Sequence, residues 1–185
     1  MKKSCYPSVL WKYGVNEKLE LRLISEFTTH TDNSISTNGI NPIKIGFKTR
    51  LFEEKGIIPV ISFIAHLVIL ASGSKEFQIN YFAPSFRFTM KYTLTDKISL
   101  GYNWGAEWDG ETPNHIYLYF DNGLLINKKI RAYVELYGFA PQKDKVDCRA
   151  DGGITCFLKP NIMLDISGGF GITEKAPEYY VAPGF

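Results

Sequence analysis

The stretch FRFTMKYTLTDKISLGYNWGAEW, residues 86–108, decides the fold. Large apolar side chains alternate with polar or small ones over residues 86–94, and the alternation resumes over residues 98–108. This period of two indicates two β-strands, because successive side chains of a strand point to opposite faces of a sheet. The polar residues 95–97 between them predict a tight turn and therefore a hairpin. Each arm has about the 9–11 residues that a tilted strand needs to cross a bilayer.

Most of the chain repeats this hairpin. The same alternation predicts strands over residues 9–15, 19–26, 43–51, 57–71, 116–121, 130–137, 148–158, 162–170 and 179–185, which gives eleven strands with the two above. Short turns at residues 16–18, 53–56, 95–97, 127–129 and 159–161 alternate with longer polar loops, the first of them over residues 28–41. Outer-membrane barrels have short periplasmic turns, long external loops and, in bacteria, an even number of strands. We therefore predict an all-β, antiparallel, up-and-down transmembrane β-barrel, with eleven strands visible of an expected twelve.

The charged residues of the predicted strands all fall on one face of the sheet, and the opposite face is apolar. Such segregation is expected of a membrane barrel, because an Arg or Lys that faces lipid at mid-bilayer costs about 2–4 kcal/mol. The polar face then lines the lumen. The predicted lumen-lining residues are Glu20, Arg22, Glu26, Lys48, Arg50, His66, Arg87, Lys91, Glu107, Tyr117, Tyr119, Arg131, Tyr133, Glu135, Arg149 and Asp165.

A soluble β-barrel gives the same alternation with its apolar face turned inward. Periodicity alone does not distinguish the two arrangements. Three features favour the membrane. The strands exceed the roughly 5–6 residues typical of soluble sheets, and short turns alternate with long loops. Aromatic side chains such as Trp11, Tyr13, Trp104 and Trp108 lie near strand ends, as they do in the aromatic girdles of membrane barrels.

The polar face has two interpretations that the sequence leaves open. Its charges of both signs can line an aqueous pore, or they can pair across strands and plug a narrow lumen. We expect partial pairing, with the cations Arg22, Lys48, Arg50, Arg87 and Arg131 against the carboxylates Glu20, Glu26, Glu107, Glu135 and Asp165. The tyrosines of this face form either an aromatic track for a ring-bearing solute or ordinary cross-strand pairs. These tyrosines are Tyr117, Tyr119, Tyr133 and Tyr137.

Composition argues against several other classes of protein. The net charge is +2 with both signs mixed along the chain, so no nucleic-acid partner is expected. Cys148 and Cys156 lie about 26 Å apart along one predicted strand, too far for a disulfide, and no C-x-x-C spacing indicates a metal site. Ser62 and His66 lie about 13 Å apart along a strand, too far for a hydrogen-bonded catalytic dyad. We predict no catalytic residue, no metal and no cofactor, and we do not expect an enzyme.

Four segments of the chain carry a family resemblance. They are KYGVNEKLELR at residues 12–22, KIGFKTRL at residues 44–51, PNIMLD at residues 160–165 with the glycines that follow, and APEYY at residues 176–180 with the end of the chain. In their order and spacing these segments resemble the outer-membrane β-barrels of the MetA pathway of phenol degradation, which are often called transporters. The resemblance runs over almost the whole chain, and no residue-level site carries over from it.

The resemblance implies a passive outer-membrane channel of a Gram-negative bacterium, for small aromatic or other hydrophobic solutes. Its expected partners are outer-membrane lipid and a small-molecule solute. Two alternatives from other classes stay open, namely a soluble β-barrel ligand carrier and a structural outer-membrane barrel with a plugged lumen. Family members also have a signal peptide, an opening strand and a few residues after the position of Phe185. We therefore expect residues 1–185 to be a single barrel domain that lacks these parts.

Overall fold

The computed structural model describes residues 2–32, 35–108, 110, 115–125, 129–141, 145–159, 162–176 and 178–184. Within these ranges, the side chains of residues 2–8, 30–32, 35 and 115–125 are left out of the description. The chain forms two compact units, one of Met1–Arg50, Phe63–Phe86 and Glu107–Asn114, and the other of Leu51–Ser62, Arg87–Ala106 and His115–Phe185.

Strands dominate the described residues. They are β1 (Lys2–Gly14), β2 (Leu19–Asp32), β3 (Ile35–Ile40), β4 (Lys44–Phe52), β5 (Val60–Val68), β6 (Pro84–Thr93), β7 (Ile98–Glu107), β8 (His115–Leu125), β9 (Ile130–Pro141), β10 (Asp147–Lys159), β11 (Ile162–Gly171) and β12 (Tyr179–Gly184). Their order in the sheet follows the chain from β1 to β12, except that β3 lies off this path on β2. The registered pairs, such as β1 with β2 and β8 with β9, are antiparallel. The prediction of an all-β, antiparallel, up-and-down chain is confirmed.

The hairpin of residues 86–108 is confirmed as β6 and β7. Its turn is closed by the backbone N–H groups of Leu94 and Thr95, which donate to the carbonyl oxygen of Ile98 at 2.9 and 3.1 Å. The hydroxyl oxygen of Thr95 accepts from the backbone N–H of Ile98 at 3.0 Å, which is the turn-forming role that Thr takes through its side chain. Across the two strands, the rings of Phe88 and Trp104 stack with their centroids 4.9 Å apart.

The polar loop predicted over residues 28–41 is wrong. β2 continues to Asp32, and β3 folds back on it in register, with Thr29 opposite Asn38. The Thr29 hydroxyl donates to the side-chain oxygen of Asn38 at 2.8 Å. Both faces of this hairpin carry polar residues, so it has no hydrophobic alternation to detect, although its threonines favour strands. The described residues therefore hold twelve strands, where eleven were predicted.

Two short strands, β4 and β3, pair with successive parts of the long strand β2. β4 pairs with residues 19–24 of β2, and β3 pairs with residues 27–32 further along the same strand. The interruption falls at Pro42, which has no N–H to donate to a ladder. The backbone N–H of Asn41 donates to the carbonyl oxygen of Glu26 at 2.8 Å and so holds the junction against β2.

The other edge of β3 is covered by a short segment. Ser74 accepts from the backbone N–H of Ile40 through its hydroxyl at 3.0 Å, and its own N–H donates to the Ile40 carbonyl at 2.9 Å. A 3₁₀ turn, Lys75–Phe77, follows. The Phe77 ring lies so close to Gly39 that an added Cβ there would sit 2.6 Å from it. This segment occupies the backbone groups at the end of β3.

Two predicted strand boundaries are corrected. β1 begins at Lys2 and not near residue 9, although the side chains of its first residues are outside the description. β5 spans Val60–Val68 and not residues 57–71. On one side a bridge between Lys55 and Ile58 forms a turn before Pro59. On the other side Ala71 has a φ of 56°, which ends the extended conformation.

Over much of the described sheet, large apolar side chains are exposed and many of the polar residues between them are partly shielded, with Arg50, Lys91 and Arg131 as exposed exceptions. Among the described residues, Ala83 is the buried hydrophobic residue, whereas Val134 is 64% exposed, Ile166 57% and Val181 69%. In β11 the apolar residues 162, 164, 166 and 170 are exposed, and the polar Asp165 and Ser167 between them are not. A soluble sheet has the opposite distribution, because burial of apolar surface is what stabilises it. The described strands therefore lack an apolar core.

Candidate functional site

The basic cluster is the group formed by Lys12, Glu20, Arg22, Lys48 and Arg50. These residues lie on one face of β1, β2 and β4, at the end where β1 turns into β2. In register, Lys12 is opposite Arg22 and Glu20 is opposite Lys48. The side chain of Asn16 fixes the turn by accepting from the N–H groups of Lys18 and Leu19 at 2.8 and 2.9 Å.

The basic cluster contains four cations and one carboxylate. Glu20 Oε1 lies 3.2 Å from Arg22 Nε, and these side chains are 33% and 13% exposed. Lys48 interacts electrostatically with this carboxylate and with the cations Lys12, Arg22 and Arg50. The register places Lys12 directly opposite Arg22, and like charges in this position destabilise a strand pair. One carboxylate is thus shared among four cations of the cluster.

Gly46 completes the row that contains Lys12 and Arg22. It lies opposite Arg22 in the β2–β4 register. A Cβ at this position would overlap the carbonyl oxygen of Ala65 and come within 2.5 Å of the His66 ring. Only glycine fits between β4 and β5 here, so His66 comes close to the basic cluster. The alternation of the sequence predicted His66 on the polar face and assigned no role to Gly46.

The acidic cluster is the corresponding group of β9–β12, formed by Glu135, Asp151, Asp165 and Tyr180. Glu135 is opposite Asp151 in register. The Tyr180 hydroxyl donates to Asp151 Oδ2. Gly169 lies between these two residues, and an added Cβ there would be 2.6 Å from Asp151 Cβ and 2.7 Å from the Tyr180 ring. Asp165 is opposite Gly184. Tyr180 lies in the last strand, as predicted, but it was not among the predicted lumen-lining residues.

Beside the acidic cluster, Arg149 contacts the Asp147 carboxylate and also the rings of Tyr137 and Phe139. Its Nε donates to Asp147 Oδ1 at 2.8 Å, and its Nη2 contacts Asp147 Oδ2, so the pair is bidentate. Its guanidinium carbon also lies 5.8 Å from the Tyr137 ring centre and 5.1 Å from that of Phe139. Asp147 was not among the predicted lumen-lining residues. Arg131 lies over the Phe157 ring, 4.8 Å from its centre.

The predicted pairing of charges is seen in part. Arg22 contacts Glu20. Glu107 lies 3.8 Å from Lys44, which was not among the cations predicted to pair. The Glu26 carboxylate accepts from the Asn41 side-chain amide at 3.0 Å. Lys91, Arg131 and Tyr133 line one cavity of about 300 Å³. Arg87 lies in β6.

The predicted tyrosine group is described in part. The side chains of Tyr117 and Tyr119 lie outside the described residues, so the aromatic track is seen only as a backbone register in which Tyr119 is opposite Tyr137. Tyr137 itself contacts Phe139, at 5.7 Å between ring centres. This edge-on contact runs along a single strand.

The described residues contain no helix long and apolar enough to span a membrane. In the same part of the chain, no group of three or more His, Cys, Asp or Glu side chains is arranged to hold a metal ion. Cys148 and Cys156 are both free thiols.

Comparison with known proteins gives one match. A family model described as "Putative MetA-pathway of phenol degradation" matches residues 2–185. No curated protein matches the chain. The family match covers both clusters and all the strands described above.

Proposed function

We propose that this chain, which belongs to the MetA-pathway of phenol degradation family, is a β-barrel channel of a Gram-negative outer membrane. Small solutes, aromatic and hydrophobic ones among them, diffuse through it passively. The polar faces of its strands line the lumen, and their apolar faces contact lipid. No catalytic step is part of this function.

One observation carries the proposal, and it is the exposure of the apolar face. Val134 and Ile166 are each more than half exposed, whereas the polar residues on either side of them are partly shielded, and Val181 is 69% exposed. Burying such a side chain is worth about 1.5–3 kcal/mol, so a chain that left so many in water would lose most of its folding free energy. Lipid removes this cost. The observation favours the membrane protein over a soluble carrier, whose apolar face would line its interior.

The backbone supports closure of the sheet into a barrel. In hydrocarbon each unpaired backbone group costs several kcal/mol, so a membrane sheet has to leave no open edge. The strand order follows the chain from β1 to β12, which is the order of an up-and-down barrel.

The test uses the three tryptophans of the chain. Trp11, Trp104 and Trp108 all belong to the apolar face, and Trp11 is 63% exposed and Trp104 48%. The protein is refolded into phosphatidylcholine liposomes, with and without brominated acyl chains. We expect brominated lipid to quench most of the fluorescence and aqueous iodide to quench little. A protein that remains in the supernatant as a monomer, or that iodide quenches and brominated lipid does not, contradicts the proposal.

Solute passage is tested separately. Proteoliposomes are examined for swelling in small sugars and for conductance in planar bilayers, with heat-unfolded protein as control. An open channel swells the liposomes and conducts. A protein that is quenched by brominated lipid but neither swells liposomes nor conducts is a plugged, structural barrel.

A further inference from the structure

A cavity of about 300 Å³ lies at the turn end of the β6–β7 hairpin, against β9 and β10. We call it the turn cavity. Lys91 and Lys97 line it from the hairpin, Arg131 lines it from β9 and Thr155 from β10. Arg131 and Thr155 are opposite each other in register, so two paired strands form one wall and the hairpin forms the other. All the lining residues belong to the compact unit that contains residues 87–106 and 115–185.

The turn cavity faces the polar side of the sheet. Val134 and Ile154 are each more than half exposed and belong to the apolar face. Tyr133 and Thr155 line the cavity and directly neighbour these two residues along the strands. Because successive side chains of a strand point to opposite faces, the cavity lies on the face away from the exposed apolar side chains. In the proposed barrel, a ligand at this position is a solute of the lumen and not the headgroup of a surrounding lipid.

Cations outnumber carboxylates in the described lining of the turn cavity. The cations are Lys91, Lys97 and Arg131, and the carboxylate is Asp96. The Arg131 guanidinium lies over the Phe157 ring, 4.8 Å from its centre, and this contact leaves the positive charge in place. All three cations are exposed, so a ligand in the cavity can reach them.

Two further carboxylates border the turn cavity without lining it. Glu54 accepts from the backbone N–H of Thr93 at 3.1 Å. Asp165 lies on β11, opposite Thr155 in register. Both are outside the lining, so the charges in direct contact with the cavity are mainly positive.

Hydroxyl groups in the lining add donors that carry no charge. They include those of Thr93, Thr95 and Thr155. The Thr95 hydroxyl oxygen accepts from the backbone N–H groups of Lys97 and Ile98 at 3.2 and 3.0 Å. A hydroxyl that accepts two hydrogen bonds still has its own O–H to donate. Donors thus come from the hairpin and from the opposite wall, which suits an anion whose oxygens point in several directions.

We propose that the turn cavity binds a small molecule that carries a phosphate group. A phosphate monoester has a charge of about −1.5 to −2 at pH 7 and three strong acceptor oxygens, and lysine and arginine are its usual partners in proteins. A carboxylate offers one charge and two oxygens in one plane, so it engages fewer of these groups. The volume of about 300 Å³ is about ten times the ~30 Å³ of one water molecule in the liquid, which leaves room for an organic group. The inference rests on the proposed function in one respect, since the solute reaches the cavity through the lumen.

The experiment measures binding directly, so it does not depend on conduction. Phenyl phosphate and benzoate are titrated calorimetrically into the protein folded in zwitterionic detergent. We expect phenyl phosphate to bind about fivefold more tightly than benzoate or better, and its affinity to fall as NaCl rises, because salt screens exposed charges. Equal affinities for the two compounds, or no binding of phenyl phosphate, overturn the proposal. Phosphatidylglycerol added to the micelles should not compete, and competition by this lipid would overturn the assignment to a solute.

Variants locate the site. Lys91→Gln and Arg131→Gln should each weaken phenyl phosphate binding about three- to fivefold, the size expected for exposed charges. Asp96→Asn should strengthen binding, because a like charge leaves the lining. The matched control is Lys55→Gln, an exposed turn lysine of the same unit that lies outside the lining, and it should leave the affinity unchanged. If Arg131→Gln does not fold, the opposite responses of Lys91→Gln and Asp96→Asn still decide.

The control also separates the site from general charge attraction. Equal effects of Lys55→Gln and Lys91→Gln would mean that phenyl phosphate responds only to the charge of the whole protein, and they contradict the assignment. So does an affinity that is unchanged in both Lys91→Gln and Asp96→Asn.

Phosphate binding and channel activity can fail independently. A protein that binds phenyl phosphate through Lys91 and Arg131 but neither swells liposomes nor conducts retains the site and loses the proposed channel. A protein that conducts but binds phenyl phosphate no better than benzoate retains the channel and loses the site. In a channel that has both, phenyl phosphate should reduce the conductance, and Lys91→Gln should raise the concentration that this requires.

Discussion

The basic cluster of β1, β2 and β4 and the acidic cluster of β9–β12 are built on the same plan with opposite charge. Each places two like charges opposite each other in register, Lys12 with Arg22 in one and Glu135 with Asp151 in the other. Each continues the row with a glycine that no other residue can replace without a clash, Gly46 and Gly169. They differ in what the chain supplies to relieve the repulsion.

In the acidic cluster, the chain supplies a neutral donor of its own. Tyr180 reaches across Gly169 and donates to Asp151, and the neighbouring Arg149 is held by Asp147 and stacked on Tyr137. In the basic cluster, the contact described for Arg22 is with Glu20, a charged carboxylate. The acidic cluster thus meets its repulsion with a neutral hydroxyl, and the basic cluster meets it with a charged carboxylate.

The largest expected effect is that of a side chain at Gly46. Gly46→Ala would drive a Cβ into the carbonyl oxygen of Ala65, so β4 and β5 cannot keep their spacing. We expect a loss of several kcal/mol in the free energy of unfolding, as for overpacked or strained positions, or no refolding at all. The matched control is Gly14→Ala, because a Cβ at Gly14 meets nothing within 4 Å. Equal urea midpoints for the two variants would contradict the close approach of β5 to Gly46.

A smaller effect is expected at Tyr180. Tyr180→Phe removes the hydroxyl that donates to Asp151 Oδ2, and it leaves a shielded carboxylate without this donor. The expected loss is about 1–3 kcal/mol, measured from the urea dependence of the folded band on a gel run without heating. Tyr179→Phe is the control, since Tyr179 is 75% exposed on the other face. If both variants match the wild type, the acidic cluster does not rely on Tyr180.

Arg149→Lys should lower the free energy of unfolding by less than Tyr180→Phe does. Lysine keeps the charge but loses the bidentate contact with Asp147 and the stacking on Tyr137 and Phe139. We expect a loss of about 1 kcal/mol, the size of one hydrogen bond together with a weak cation–π contact. The measurement is the same gel shift in urea. A lysine variant as stable as the wild type would show that charge alone is sufficient at this position.

The smallest effect is expected at Lys145. This residue contacts Glu174 at 2.8 Å, but the two side chains are 71% and 83% exposed. Exposed ion pairs contribute about 0–1 kcal/mol, so Lys145→Ala should lower the free energy of unfolding by less than about 0.5 kcal/mol. The result calibrates the comparison, because it measures an ion pair of the same chemistry without shielding. A loss as large as that of Arg149→Lys would indicate that shielding adds little.

Much of the strand pattern was predictable, because hydrophobic alternation records which face each residue takes. β6 and β7 were predicted to within two residues for this reason. β3 was not, since polar residues on both faces leave no alternation to read. The Glu20–Arg22 and Asp147–Arg149 contacts each lie within one strand, two residues apart. The Lys44–Glu107 contact joins β4 and β7, which are not neighbours in the strand order, so the pattern does not encode it.

The sequence predicted which face of the strands carries the charged residues, but it did not predict which of those residues lie together. Lys12 was known to lie on the polar side, yet it was not among the predicted lumen-lining residues. Its position opposite Arg22 follows from the β1–β2 register, which the turn at Asn16 fixes. Gly46 allows β5 to approach β4 closely, and Tyr180 donates a hydrogen bond to Asp151 on β10. Such roles cannot be predicted from the sequence without knowing which strands are neighbours.

The segment that covers β3 has a consequence for how separate molecules behave toward one another. In a membrane barrel, the β2–β3 hairpin would rise beyond the lipid, where an open strand edge can recruit the same edge of another molecule. Ser74 takes up both backbone groups of Ile40, and Phe77 blocks approach over Gly39. β3 therefore ends in a closed edge at Gly39 and Ile40, and in the proposed membrane barrel this would prevent neighbouring copies from pairing their strands there.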